Sequence, residues 1–309
     1  MSRFPGNKSF AFSIFDDTDQ STLQNIRPVY RLLRDLGFRT TKSVWPLAAA
    51  PGARFGGSTL QDREYLDYVQ ELQADGFEIG LHNVRSGTAP RETIEQGFAE
   101  FRSRIGEDPR CHANHSDNRE NIYWGASRLS RVVARFLYNL RDRYRLLGYF
   151  QGDVPDSRYF WGDMCKRRIR YVRNFVFNEI NLERINPTLP YHDPRKPFVN
   201  FWFSSSEGGN VSKFCDTLRE ANQDRLAAES GICIMYTHFA SGFASGGGTE
   251  SLFTRLMHRL SKLNGWFVPV SELLDFLRRE KPGRTVIPAS ELTAMENRWI
   301  RYKMRVGRG

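Results

Sequence analysis

Ser9-Phe10-Ala11-Phe12-Ser13-Ile14-Phe15-Asp16-Asp17-Thr18 is an apolar-rich run that stops at two adjacent carboxylates. Behind it, Leu23, Ile26, Val29, Tyr30, Leu33 and Leu36 recur at helical spacing until Gly37 ends the repeat. The pair reads as a buried strand feeding a crossover helix, and the same unit returns along the chain. Residues 40–44 form a second strand, and Asp62 caps a helix carrying Tyr65, Leu66, Val69 and Leu72 that Gly76 stops. Residues 77–81 are a strand ending at His82, Pro90 opens a helix to about residue 104, and residues 111–113 are a short strand. In the last third, 211–229 is helical, 231–237 a strand, 252–263 a helix and 266–268 a strand. Ser271 caps a helix at 272–279, and Ser290 caps a final basic helix to residue 304. Between these parts, about 117–210 reads as a long irregular insert with one amphipathic basic helix at 127–147. Strands alternating with helices imply a parallel sheet with crossovers, open or closed into a barrel. The whole chain, 1–309, reads as a single domain carrying that insert.

Composition narrows the function. Forty per cent of the 309 residues are hydrophobic, enough for a large core, and no run approaches the roughly 20 apolar residues of a membrane span. The N-terminus is short and polar without a signal-peptide core, so the expected location is cytoplasmic. Cys111, Cys165, Cys215 and Cys233 show no paired spacing and read as reduced thiols. A net charge of +10 favours an anionic partner: nucleic acid, a sugar carried on a phosphate, or an acidic membrane face. No RNA-binding, zinc-finger or helix-turn-helix signature accompanies that charge.

The chemistry-bearing residues gather at strand ends. Asp16, Asp17, His82 and His238 each fall at the carboxyl end of an expected strand, and His115 falls just past another. In α/β folds those ends share one rim, where function collects. Two neighbouring carboxylates after a buried strand suit a divalent cation, or else a solvated turn with Asp17 or Thr18 capping the next helix.

Ile14-Phe15-Asp16-Asp17-Thr18 resembles the Thr-Phe-Asp-Asp-Gly motif of the polysaccharide deacetylases, and Glu78-Ile79-Gly80-Leu81-His82 resembles their Gly-His-Glu-Ile-Gly-x-His motif. The apolar strand Gly231-Ile232-Cys233-Ile234-Met235-Tyr236-Thr237-His238 is similar to their closing Leu-x-His strand. The resemblance is nearest to the divergent deacetylases of bacterial O-antigen and capsule assembly. It implies a distorted (β/α) barrel with Asp16 as general base, Asp17 and His82 as metal ligands and His238 as general acid. It implies zinc as the divalent metal and the acyl amide of an N-acylated sugar as the substrate, hydrolysed with the metal polarising the carbonyl. The sequence departs from the family at Ser86, where a further histidine is expected, and it lacks the Arg-Pro-Pro-like loop near residues 110–118. Imidazole is a common ligand for such metals, so His115, rather than His112, is the candidate to complete the shell.

In the insert, Trp161, Asp163 and Arg173 suit stacking and hydrogen bonding to a sugar, and equally suit plain packing. The charge and location favour a sugar attached to a nucleotide or lipid phosphate, with peripheral membrane contact and no specific nucleic acid. Two rivals accompany this reading. One is a glycan-binding protein with a dead site, motivated by Ser86; the other is a basic nucleic-acid-binding protein, motivated by charge alone.

Overall fold

The computed structural model describes residues 3–141, 145–283 and 285–306. Seven parallel strands form a closed barrel: β1 (Phe10–Asp16), β2 (Thr41–Val44), β3 (Glu78–Leu81), β4 (Cys111–His112), β5 (Tyr171–Phe177), β6 (Phe201–Ser206) and β7 (Ile232–Thr237). Each pairs with the next, and β1 closes the ring on β7 over a register running from Ala11↔Ile232 to Asp16↔Thr237. A two-stranded ribbon, β8 (Ala244–Ser245) with β9 (Gly248–Thr249), lies outside the barrel. A last strand, β10 (Gly265–Phe267), pairs parallel with the first half of β1.

Helices surround the ring: α1 (Leu23–Asp35), α2 (Arg63–Ala74), α3 (Arg91–Ile105), α4 (Val132–Arg141), α5 (Gly162–Arg168), α6 (Val211–Thr217), α7 (Glu220–Ala228), α8 (Ser251–Ser261), α9 (Val270–Glu280) and α10 (Ala289–Val306). The α1 helix starts on a capping box between Thr22 and Asn25, which satisfies two otherwise orphaned backbone donors.

Strand alternation divides the core in two. Phe10, Phe12 and Ile14 of β1 and Cys233 and Met235 of β7 join the outer cluster beneath the helices. Ala11, Phe15, Ile232 and Ile234 face inward with Tyr171 and Phe203, and α9 adds Val270, Leu273, Leu274 and Leu277 to that interior cluster. The backbone N–H of Val270 donates to Thr41 Oγ1 at the start of β2, so α9 seals the amino end of the barrel. Each fully buried aromatic or branched side chain contributes about 1.5–3 kcal/mol. With one end sealed, the open rim is the carboxyl end.

Two expectations about the middle of the chain are corrected. The segment 117–210 is not wholly an insert, because it supplies β5 and β6 to the barrel. Tyr171–Phe177 lacks a clean alternation because a bulge between Arg173 and Val176 breaks its phase. The basic helix expected at 127–147 is a 3-10 turn, Gly125–Arg128, followed by α4, and residues 142–144 lie outside the described residues. Val132, Val133, Phe136, Leu137 and Leu140 of α4 are all exposed. No helix among the described residues is long and apolar enough to cross a membrane. All four cysteines are buried free thiols.

Candidate active site

The period of two along β1 decides which carboxylate reaches the rim. Asp16 shares the outward face with Phe10, Phe12 and Ile14, and Asp17 shares the inward face with Ala11 and Phe15. Asp16 is accordingly saturated by groups outside the barrel. Its Oδ1 accepts from the Phe239 N–H at 2.9 Å, and its Oδ2 accepts from the Tyr30 hydroxyl at 2.9 Å. Lys42, its direct register partner on β2, places Nζ 3.1 Å from the same Oδ2, and neither side chain is exposed. Burial pushes the Asp16 carboxyl up against the pull of Lys42, and Asp16 does not line the cavity at the rim.

That cavity, of about 470 Å3, is lined by Asp17, Asp19, His82, His115, Arg173 and His238 among others. Asp17 accepts a bidentate pair from Arg173, with Nη1 at 2.8 Å and Nη2 at 2.5 Å. Burial opposes ionisation there, but Arg173 and His82 hold the carboxyl below its usual range. Beyond it, Asp19 meets three imidazoles. His115 Nε2 lies 2.8 Å from Oδ1, and His82 Nε2 and His238 Nε2 lie 3.0 and 3.4 Å from Oδ2. Burial opposes Asp19 too, and the histidines pull its carboxyl far below normal. Asp19 and the same partnership raise His115, and Asp19 with Asp17 lifts His238 to about 9 against the effect of burial.

Each histidine is held by its other nitrogen. His82 Nδ1 lies 3.0 Å from the Ala113 carbonyl and His238 Nδ1 lies 2.8 Å from the Gly209 carbonyl. His115 Nδ1 lies 2.9 Å from Asn118 Oδ1. The Asn118 amide nitrogen donates to Glu120 and to the Arg85 carbonyl, which fixes its oxygen as the acceptor for His115. These acceptors require a proton on every Nδ1, so each neutral imidazole presents a lone pair from Nε2. Lone pairs then converge on a carboxylate, acceptor facing acceptor. Asp19 Oδ2 and His115 Nε2 are buried without a hydrogen-bond partner. Only cations relieve that arrangement: protons on the imidazoles or a metal among them. Asp19, His82 and His115 offer three ligand atoms within 4.8 Å of one another, and two imidazoles with one carboxylate suit zinc and related divalent ions. The residues present therefore fit a divalent metal.

An asparagine-rich cradle aims His115. Asn83, at φ 52°, accepts from the His115 N–H through Oδ1 and donates to Glu120 and Asn121. Asn121 donates to the His115 carbonyl. Ser86 is buried, its hydroxyl without a hydrogen-bond partner.

Two of the expected sugar contacts lie elsewhere. Trp161 is buried against Phe98 and His112 and donates Nε1–H to the Glu120 carbonyl. Asp163 sits on α5 and pairs with Arg91 and Arg167 outside the rim. Both belong to packing around α5, where aromatic and charged side chains brace the helix. Arg173 does line the cavity, but its guanidinium is committed to Asp17. His112 faces outward with Trp161, as the alternation about Ala113 requires. Reading the sequence missed Asp19, whose signal was its spacing of two from the inward Asp17. It also missed the cradle, signalled by Asn114, Asn118 and Asn121 flanking His115, and Trp124, Arg128 and Trp299, which line the cavity from the former insert and α10.

Neither a protein-family sequence model nor any curated protein sequence matches the chain. Its backbone does match solved structures. A Mycobacterium smegmatis protein assigned as a polysaccharide deacetylase superposes with a TM-score of 0.52 at 9% identity, covering 93% of this chain and 96% of its own. The PuuE allantoinase gives 0.51 at 12% identity, covering 90% of this chain and 93% of its own. A protein of Pseudomonas aeruginosa PAO1 assigned as a polysaccharide deacetylase gives 0.50 at 12% identity, covering 90% and 94%. At such identities the likeness speaks for architecture, and the architecture is the (β/α) barrel of the polysaccharide deacetylases.

Proposed function

We propose that this protein is a metal-dependent hydrolase that removes an acyl group, in the first instance acetyl, from the amide of an N-acylated sugar. The observation that carries the reading is the convergence of three imidazole Nε2 atoms on buried Asp19, at the open end of a deacetylase-type barrel. Asp19, His82 and His115 would hold the metal, for which zinc is the expected ion. When bound, the metal supplies Lewis acidity toward the acyl carbonyl and acidifies water.

The chain's own groups divide the proton transfers. Asp17 is the inward carboxylate, oriented by two parallel bonds from Arg173 and kept ionised by that cation. It takes the proton from the attacking water. His238 is fixed by the Gly209 carbonyl and stands across Asp19, and the carboxylates of Asp19 and Asp17 favour its imidazolium form against the effect of burial. It gives its proton to the amide nitrogen as the C–N bond breaks, because an unprotonated amine is a poor leaving group. The products are a carboxylate and the free amino sugar. The roles first expected of Asp16 and Asp17 therefore pass to Asp17 and Asp19.

The net charge of +10 supports a substrate on a nucleotide or lipid phosphate, as in O-antigen assembly. The exposed apolar face of α4, with Arg131 and Arg135 beside it, supports peripheral contact with an anionic membrane. His115 supplies the nitrogen whose apparent lack motivated a glycan-binding reading without catalysis. Purified protein with added zinc, incubated with N-acetylated sugars, is expected to release acetate and free amine. Release unaffected by chelation would overturn the metal's role, and its absence across neutral and phosphorylated sugars would overturn the reading.

A further inference from the structure

Arg128 ends the 3-10 turn Gly125–Arg128, and its side chain lines the central cavity. It is 7% exposed. Its guanidinium carbon stands 3.1 Å from the centroid of the Trp124 ring and 5.4 Å from that of Trp299, and both rings line the same cavity. These contacts hold the group in place without neutralising it. Among the described residues no carboxylate pairs with Arg128, and its Nε is buried with no hydrogen-bond partner. Neighbouring buried cations differ: Arg173 holds Asp17, Lys42 holds Asp16, and Lys196 reaches Asp193. Burial lowers the Arg128 guanidinium to about 9, and Arg173 adds repulsion. A buried, unpaired charge is costly, and a guanidinium fork matches a planar or tetrahedral oxyanion through two parallel bonds.

We propose that Arg128 recognises an oxyanion on the substrate, a carboxylate or phosphoryl group borne by the same molecule as the acyl amide. That the molecule is a sugar rests on the hydrolase reading above; that Arg128 takes an oxyanion does not. The anion completes the missing counter-charge beside a guanidinium that Trp124 and Trp299 hold in place. Neutral N-acyl sugars lack the group that offsets the buried charge, so they bind less tightly.

The test is calorimetric titration of chelator-treated full-length protein with inorganic pyrophosphate, glucose 1-phosphate and glucuronate, with neutral N-acetylglucosamine as control. Chelation removes the competing anion site on any metal. Wild type is expected to bind at least one of the anions, and Arg128→Gln to bind it 10- to 100-fold more weakly, roughly what a charged hydrogen-bonding pair contributes. Arg128→Lys keeps the charge without the fork and is expected to fall between them. Selective loss of pyrophosphate and glucose 1-phosphate assigns a phosphoryl group, and selective loss of glucuronate assigns a carboxylate. Equal binding by wild type and Arg128→Gln, or no anion binding by wild type, overturns the proposal. Free Arg128→Gln is expected to melt no lower than wild type; a lower Tm makes the residue a structural strut and also overturns it. Acetate release by wild type is read separately, so failure of the hydrolase reading leaves an Arg128-dependent titration standing.

Discussion

Replacing Asp16 by Asn separates a structural carboxylate from a chemical one. Asp16 and Lys42 are an isolated charge pair with no exposure on either side, 3.1 Å apart between β1 and β2. At an effective dielectric near 20 their attraction is about 5 kcal/mol, and breaking a buried pair from one side costs about 3–5 kcal/mol. Asn retains an acceptor for the Phe239 N–H, but its amide NH2 faces an ammonium group that it cannot neutralise. For a chain of 309 residues, an unfolding entropy of about 0.65 kcal/mol per degree turns that cost into a Tm drop of about 5–8 °C. Lys42→Met alone is expected to lose a comparable amount. The double variant should recover most of it, because removing both charges removes the desolvation penalty with the attraction.

Turnover supplies the contrast. Asp16→Asn, assayed well below its Tm, is expected to release acetate within about tenfold of wild type, because no Asp16 atom reaches the cavity. Asp17→Asn removes the inward carboxylate and should lower turnover by about 100- to 10,000-fold. Calorimetric melts at pH 7.5 and an acetate-release assay measure both quantities on the same preparations. An Asp16→Asn protein with an unchanged Tm and turnover lowered 100-fold would refute the parity argument and return the base to Asp16.

Ala substitutions of Asp19, His82 and His115 are each expected to weaken zinc binding by at least about tenfold, measured by competition with a chromophoric chelator, and Ser86→Ala to leave it within about twofold. Chelation of the as-purified protein should lower its Tm, and readdition of zinc should restore it by mass action. Burial depresses the His112 imidazole to about 3, so the unfolded chain, near 6.5, binds a proton that the folded one refuses. Stability is therefore complete above about pH 6.5 and falls by roughly 4–5 kcal/mol toward pH 3; His112→Gln should flatten that part of a denaturation-versus-pH curve. Phe136→Glu with Leu137→Glu on α4 is expected to abolish co-sedimentation with phosphatidylglycerol vesicles without changing acetate release, and unchanged sedimentation would dismiss α4 as the contact.

The sequence displayed the barrel because its strands are short apolar runs bounded by glycines and helix caps, signals that local chemistry writes plainly. It hid β5 and β6 because Tyr171–Phe177 alternates only as far as a bulge and Phe201–Ser206 ends in three consecutive serines, which do not read as a buried strand. The place of His115 at the rim was legible, because it follows the strand next in sequence after the one that ends at His82. The motif's letters do not say which carboxylate faces the cavity; the pleat does, turning Asp17 inward and Asp16 outward. Had the pleat been followed from Phe10, the odd positions Ala11, Ser13, Phe15 and Asp17 would have emerged on one face, with Asp16 on the face of the phenylalanines. Asp19 follows two residues after Asp17, three beyond the end of β1 and in the turn that leaves it. There the backbone is free to bring a second carboxylate over the rim, beneath His82, His115 and His238. Asp16 on the outer face demanded a cation of its own, and the register supplies Lys42 directly opposite. A lysine at the second residue of an otherwise buried strand was therefore the sequence's own indication that Asp16 had a partner and was not available to the substrate.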